Sequence, residues 1–187
     1  MNNTFYFLRH GETRVDKNTP ISKWALTETG ETQAKQLAEE GVFKDVDLIF
    51  SSTEEKAYKT ALPIAESLGK EVTQLEEIVE LNRDKSAFMK AEDYEKAIGD
   101  CLKHQLESVN NWETAVHALD RFSNKIDQLD REYNDQKILV VGHGFTINLY
   151  FAKLLGVLDS VNKRLSKNNF ADWGITKNQT VVKDIAE

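Results

Sequence analysis

The stretch FLRHGET at residues 7–13 places a histidine directly after a short apolar strand, which we predict over about Thr4 to Leu8. A second stretch, ILVVGHG at residues 138–144, repeats this arrangement after a continuous apolar run. Runs of this kind are typical of strands that are buried on both faces of a parallel sheet. The two predicted strands end in His10 and His143, and glycine lies beside each histidine. Two strands therefore deliver the same residue type to their carboxyl ends.

Segments with helical periodicity alternate with strands along the rest of the chain. The predicted helices cover about residues 29–40, 52–68, 91–106, 112–133 and 145–155. Further strands are predicted at about 47–51 and 70–75, and a hairpin is predicted to turn near 177–179. This alternation predicts an α/β fold, a three-layer α/β/α sandwich with a mostly parallel central sheet. Ligands of such sheets bind at the carboxyl ends of the strands, where both histidines lie.

Two helix starts carry capping signals. Ser52 and Glu55 fit a capping box, in which the serine caps the helix and the glutamate reaches back to it. Asn110 or Asn111 is the predicted cap of the helix that begins near Trp112.

The composition is that of an ordinary globular protein, with 40% apolar and 29% charged residues among 187. This length fits a single domain, residues 1–187, with a core of its own. The apolar runs are shorter than the roughly 18 residues of a membrane helix, and the N-terminus lacks signal-peptide features. Cys101 is the only cysteine, so an internal disulfide is excluded. We therefore expect a cytoplasmic protein with no membrane partner.

The formal net charge of −7 bears on the kind of partner. Nucleic-acid binding domains normally carry a basic surface, so we expect no nucleic-acid partner. A small anionic ligand remains compatible with this charge, because a few arginines and backbone amides focus positive potential inside an acidic protein.

The residues around the two histidines suit a phosphate group. Arg9 offers a planar fork of donors that matches phosphate oxygens, and neutral His10 is a nucleophile at physiological pH. Gly11 lets the backbone approach a bulky ligand. After His143, Gly144 opens a helix whose N-terminal amides favour an anion. Together these features indicate a phosphate site that contains a nucleophile.

A structural or metal-binding histidine is the alternative for each position taken alone. A metal site needs further histidine, cysteine or carboxylate ligands at suitable spacing. His104 and His117 lie in predicted helices without a paired ligand nearby. We therefore predict no metal site and no cofactor.

Four segments, in order along the chain, carry a resemblance to a known family. They are LRHGET at 8–13, LTETGETQA at 26–34, SSTEEKAYKTA at 51–61 and VVGHG at 140–144. The set resembles the motifs of the histidine phosphatase superfamily, which has the phosphoglycerate mutase-like fold.

The resemblance implies roles for named residues. His10 would attack phosphorus and form a phosphohistidine, while Arg9 and His143 would hold the phosphoryl oxygens. A glutamate in the middle of the chain would be the general acid. Glu80 is our preferred candidate, because VELNR resembles the family's layout at that position, and Glu77 is the second choice. Glu76 is the third candidate, and for each of the three a solvated acidic face is the alternative interpretation.

Two positions depart from the family pattern. Lys56 stands where the family has a phosphate-binding arginine, and lysine keeps the charge but loses the bidentate fork. Arg83 is predicted to supply a replacement guanidinium. Asp16 stands where the family usually has an asparagine that contacts phosphate, and a carboxylate there would repel the dianion unless it is protonated or turned away.

The resemblance implies a metal-independent phosphatase that acts on a small phosphomonoester, and the length favours this function over a phosphoglycerate mutase. A helical cap over the site is predicted at about residues 83–111. Lys56 and Asp16 motivate an alternative of another class, a phosphate-binding or regulatory protein with little turnover. A protein phosphatase stays open, as does the choice between monomer and homodimer.

Overall fold

The computed structural model describes residues 2–187 and contains a sheet of six strands in the order β3-β2-β4-β1-β5-β6. The strands are β1 Thr4–Arg9, β2 Leu48–Ser52, β3 Val72–Leu75, β4 Lys137–Gly142, β5 Trp173–Lys177 and β6 Thr180–Lys183. The helices are α1 Glu28–Glu39, α2 Glu55–Leu68, α3 Ala91–Lys103, α4 Ala115–Glu132, α5 Gly144–Leu155 and α6 Val161–Leu165.

The first four strands of the sheet order run parallel to one another, and the C-terminal hairpin completes the sheet. Strand β1 pairs in parallel with β4, which pairs in parallel with β2, which pairs in parallel with β3. Strand β5 is antiparallel to both β1 and β6. The predicted mostly parallel sheet and the predicted hairpin are both confirmed.

Alternate side chains of the sheet build two cores, one on each face. Phe7 and Val140 face the core that α4 and α5 cover, with Phe122 and Phe151 among its members. Leu8, on the opposite face, packs in the core that α1 and α2 cover. Because successive residues of a strand point to opposite faces, the continuous apolar runs are buried on both sides, and the predicted three-layer sandwich is confirmed.

The parallel register of β1 and β4 determines where the site lies. Arg9 is aligned with Gly142, and the backbone N–H of His10 donates to the carbonyl oxygen of Gly142 at 3.0 Å. One residue further on, His10 and His143 therefore leave the sheet side by side at its carboxyl edge.

Helix α2 begins differently from the prediction. Its first residue is Glu55 and its N-cap is Glu54, so the capping box on Ser52 is wrong. The hydroxyl of Ser52 accepts a hydrogen bond from the backbone N–H of Glu54 at 3.1 Å. Strand β2 extends to Ser52 itself, so this residue belongs to the sheet and the helix starts later.

Helix α4 also begins later than predicted. It starts at Ala115, and the side chain of Thr114 caps it by accepting from the backbone N–H of His117 at 3.2 Å. Asn110 and Asn111 were the wrong choice, since both have positive φ angles of 53° and 62° within the preceding turn. Asparagine tolerates that conformation better than most residues.

Within residues 2–187, every helix is too short or too polar to cross a membrane.

Candidate active site

The His10 ring lies at the end of β1 and is 6% exposed. Its Nδ1 lies 2.8 Å from the carbonyl oxygen of Gly11. A carbonyl can only accept, so Nδ1 carries the proton and Nε2 carries the lone pair of a neutral ring. Burial lowers the pKa of His10 well below its ordinary value of 6.5, and the nearby His143 and Lys56 lower it further. The arrangement keeps Nε2 available as a nucleophile.

Close packing of two glycines positions the segment that carries His10. A Cβ atom at Gly11 would lie 2.5 Å from the carbonyl oxygen of Gly30, which is closer than such contacts allow. The backbone N–H of Gly11 donates to the hydroxyl of Thr60 at 3.0 Å. The loop after β1 therefore packs directly on the first turn of α1 and is hydrogen-bonded to α2.

His143 lies beside His10 and is fully buried, with the two ring centroids 5.2 Å apart. Burial lowers the pKa of His143 to about 3, so the ring is neutral at physiological pH. Within residues 2–187 neither of its ring nitrogens has a hydrogen-bond partner. Buried polar atoms normally do have partners, so these nitrogens mark a place where a ligand can bind.

Arg9 is the last residue of β1, directly before His10, and its positive charge also lowers the pKa of His10. One of its terminal nitrogens donates to the carbonyl oxygen of Asn168, and its guanidinium lies 4.4 Å from the ring centroid of Phe170. Its Nε has no partner within residues 2–187. A Cβ atom at Gly144 would lie 3.3 Å from the guanidinium carbon, so the glycine at the start of α5 leaves the room that Arg9 occupies.

The structure brings one of the three candidate glutamates into the site. The carboxylate of Glu80 is buried and accepts hydrogen bonds from the backbone N–H groups of Phe145 and Thr146, at 3.1 and 3.2 Å. It therefore lies against the N-terminus of α5, beside His143. Glu76 and Glu77 are exposed, and Glu77 pairs with Lys125 at 2.8 Å.

Arg83, the predicted replacement guanidinium, is buried next to Glu80. Its Nη2 lies 3.9 Å from a carboxylate oxygen of Glu80. The guanidinium carbon lies 4.7 Å from the ring centroid of Phe145 and 5.8 Å from that of Trp112. Its positive charge acts on both Arg9 and His143, so Arg83 belongs to the same cluster.

Lys56 also reaches the cluster, but it is already paired. Its Nζ lies 2.6 Å from Oε2 of Glu54 and donates to the carbonyl oxygen of Ile21 at 2.9 Å. Its charge is nevertheless close enough to lower the pKa of both His10 and His143.

Glu54 is the residue of the site that the sequence analysis missed. Its side chain is only 8% exposed, and its Oε1 lies 3.5 Å from Nε2 of His143. The same oxygen accepts from the backbone N–H of Glu80 at 2.8 Å. The predicted capping box on Ser52 treats Glu54 as an ordinary residue of the first helical turn, whereas the structure has Glu54 at the N-cap. The sequence pattern therefore does not point to it.

The side chain of Asp16 forms its hydrogen bond within its own loop. Its Oδ1 accepts from the backbone N–H of Asn18 at 2.9 Å, and its carbonyl oxygen accepts from the indole of Trp24 at 3.0 Å. The structure thus gives this carboxylate a local role in loop geometry.

Among residues 2–187, histidine, cysteine, aspartate and glutamate side chains form no group of three or more that is placed to hold a metal ion.

The sequence profile of the histidine phosphatase superfamily (branch 1) matches residues 5–172, nearly the whole chain. The chain belongs to this superfamily. Phosphoserine phosphatase 1 of Hydrogenobacter thermophilus is 27% identical over 161 residues, which cover 80% of this chain and 75% of that protein. The uncharacterized phosphatase PhoE of Bacillus subtilis is 28% identical over 182 residues, with 90% of each chain covered.

Solved structures agree on the fold. Mycobacterial glucosyl-3-phosphoglycerate phosphatase in complex with VO3 superimposes with a TM-score of 0.81 at 22% identity, covering 97% of this chain and 96% of that chain. At this level of identity the likeness establishes the architecture alone, and it confirms the phosphoglycerate mutase-like fold that the four motifs implied.

Proposed function

We propose that the chain is a metal-independent phosphatase that hydrolyses a small phosphomonoester through a phosphohistidine on His10. One observation carries the proposal. The His10 ring, whose Nε2 is unprotonated, has its centroid 5.2 Å from that of His143, and buried polar atoms of Arg9 and His143 lack hydrogen-bond partners. The negative oxygens of a phosphoryl group can accept hydrogen bonds from Nε–H of Arg9 and from the one ring nitrogen of neutral His143 that carries a proton.

In the first step Nε2 of His10 attacks phosphorus, the bond between nitrogen and phosphorus forms, and the bond between phosphorus and the ester oxygen breaks. Phosphoryl transfer depends mainly on positioning and on stabilisation of the charge on the phosphoryl oxygens. Arg9, Arg83 and Lys56 supply positive charge, and the N-terminus of α5 adds its dipole. These groups are the charges that a metal ion would otherwise provide.

The alcohol needs a proton as it leaves, and we assign that proton to Glu80. The carboxyl group lies beside His143, on the same edge of the sheet as His10. In the second step Glu80 removes a proton from water while the water oxygen forms a bond to phosphorus. The bond between phosphorus and nitrogen breaks, its electron pair returns to Nε2 of His10, and inorganic phosphate is released. The acid of the first step is then restored.

The test is hydrolysis of p-nitrophenyl phosphate in excess chelator by wild type, His10→Ala and His104→Ala. His104 is exposed at the end of α3 and serves as the matched control. We expect activity that survives the chelator, persists in His104→Ala and falls by roughly 10³-fold or more in His10→Ala. Activity that His10→Ala retains, or that the chelator removes, would refute the proposal.

A second function, phosphate binding with little turnover, has one observation in its favour. The ion pair between Lys56 and Glu54 neutralises a cation inside the site before any anion arrives. A binding protein would show a higher melting temperature with inorganic phosphate and form no product from any phosphomonoester. The same assay, supplemented with thermal melts, separates the two functions.

A further inference from the structure

A cavity of about 510 Å³ lies between the loop at residues 15–24 and the predicted cap, at residues 83–94. Its volume is in the range of sites for small organic ligands. The wall is largely apolar and aromatic. Val15, Trp24, Phe88, Met89 and Tyr94 are among the residues that line it.

The cavity adjoins the proposed general acid. Ile21, Arg83 and Asp84 line it and also line a smaller cavity of about 230 Å³, whose wall contains Glu80 and Glu54. The larger cavity therefore borders the smaller one, whose wall includes Glu80. We call the larger cavity the leaving-group cavity.

Of the three charged residues on the wall of the leaving-group cavity, Arg83 and Asp84 are engaged by other protein groups, and Lys17 is exposed to solvent. Lys17 lies 5.4 Å from the ring centroid of Phe88. Arg83 faces Glu80 and aromatic rings, as described above. Asp84 accepts two hydrogen bonds from Ser22, one from its backbone N–H at 3.1 Å and one from its hydroxyl at 2.5 Å. The wall thus offers a substrate carboxylate little to replace the water that it would lose.

Two large apolar side chains of the wall are exposed to solvent. Val15 is 58% exposed and Phe88 is 49% exposed. Both line the leaving-group cavity, and each comes from a different one of the two segments that form it. An apolar group bound between them would remove both from water, which is favourable in proportion to the area covered.

We propose that the substrate is the phosphomonoester of a bulky apolar or aromatic alcohol, and that the leaving-group cavity binds this alcohol. The inference rests on the proposed phosphatase function and specifies its substrate class. The ester oxygen leaves phosphorus with its electron pair and takes the proton of Glu80, so the product in the cavity is the neutral alcohol. A carboxylate-bearing alcohol such as serine is disfavoured there.

The test compares kcat/KM for 1-naphthyl phosphate with kcat/KM for O-phosphoserine in wild type, Phe88→Asp, Val15→Asp and Val182→Asp. Val182 is a 64% exposed apolar residue on β6 at the sheet edge and provides the matched control. We expect wild type to prefer the naphthyl ester by about tenfold or more, a discrimination of the size that apolar pockets achieve. The two wall variants should lower this preference by about tenfold, and the control should keep it.

The outcomes separate the inference from the function on which it rests. Equal or better turnover of phosphoserine, or a preference that survives both Phe88→Asp and Val15→Asp, would overturn the proposed role of the leaving-group cavity. The phosphatase function would still stand. No hydrolysis of either ester by wild type would overturn the proposed function, and the inference with it.

Discussion

The strand ends that hold His10 and His143 are buried and fixed by the β1–β4 ladder, whereas the walls of the leaving-group cavity expose apolar side chains on two loops. In the first region the backbone register determines which side chains meet. In the second region, the shape of the cavity follows from how segments 15–24 and 83–94 lie against each other. The comparison teaches that this fold keeps the proposed nucleophile on a rigid element, the sheet, and places the residues of the proposed alcohol site largely on loops.

The largest effect is expected from Glu80→Gln, which removes the proposed proton donor beside the N-terminus of α5. Turnover of an alkyl phosphate, whose leaving group needs a proton, should fall by roughly 10²-fold to 10⁴-fold. Turnover of p-nitrophenyl phosphate, whose leaving group does not, should fall much less. Steady-state kinetics on both esters measure this difference.

Glu77→Gln is the matched control, since Glu77 is exposed in the adjoining turn and pairs with Lys125. It should leave both rates unchanged. An equal loss on both esters in Glu80→Gln would show that the residue positions groups without donating the proton.

The next largest effect is expected from Gly11→Ala, which adds a methyl group just after the end of β1 in the rigid region. The added Cβ would lie 2.5 Å from the carbonyl oxygen of Gly30, so the segment that carries His10 must shift. We expect the free energy of unfolding to fall by about 1–3 kcal/mol and kcat to fall by roughly 10²-fold. Denaturant unfolding and p-nitrophenyl phosphate kinetics measure both quantities.

Gly99→Ala provides the control for this change. Gly99 lies inside α3, and a Cβ there would come no nearer than 3.7 Å to the side chain of Asn162. Alanine is about 1 kcal/mol better than glycine in a helix interior, so this variant should be as stable as wild type or more stable. If Gly11→Ala behaves in the same way, the close packing of that loop is not what positions His10.

Removing the negative charge of Glu54 should strengthen anion binding. In Glu54→Gln, Lys56 loses its ion-pair partner, and the carboxylate 3.5 Å from His143 is gone. We expect the inhibition constant of inorganic phosphate to fall by about threefold to tenfold, because a nearby like charge no longer opposes the dianion.

The exposed Glu55, paired with Lys59 on the surface of α2, supplies the control Glu55→Gln. Weaker phosphate binding in Glu54→Gln would mean that the pair instead holds Lys56 in place for the ligand.

At neutral pH the smallest expected effect is on stability, and this effect grows as the pH falls. Burial lowers the pKa of His143 to about 3, while an unfolded histidine has its ordinary pKa of about 6.5. Between these values the unfolded chain binds a proton that the folded chain does not, so stability falls as pH falls below 6.5. The contribution of one histidine is at most about 1.4 kcal/mol per pH unit.

His143→Gln removes that contribution. As the pH falls below 6.5, the unfolding free energy of wild type should therefore decrease steadily relative to that of the variant. Urea titrations over this range measure it. His104→Gln, at an exposed position, is the control. A difference that stays constant from pH 7.5 to pH 5 would contradict the buried, neutral His143.

The sequence predicted the parts of the molecule that depend on local pattern. Continuous apolar runs identified β1 and β4, and their shared direction in a parallel sheet was enough to bring His10 and His143 together. The preference for Glu80 over Glu77 agrees with their burial, because the structure buries Glu80 and leaves Glu77 exposed.

The parts that escaped prediction depend on tertiary contacts. Glu54 caps α2, two residues after the predicted cap, and its carboxylate lies 3.5 Å from His143. Asp16 is held by Asn18 and Trp24 of its own loop. The leaving-group cavity arises where two segments distant in sequence face each other, and no periodicity in either segment encodes that contact.

The most direct measurement for the central role of His10 is to trap the covalent intermediate. Wild-type protein is mixed with p-nitrophenyl phosphate, quenched at alkaline pH, digested, and analysed by mass spectrometry for a phosphorylated histidine. The expected result is one phosphoryl group on His10 that appears within the first turnover and is absent from His10→Ala. Sustained turnover with no phosphoryl group on His10, or with the group on another residue, would contradict it.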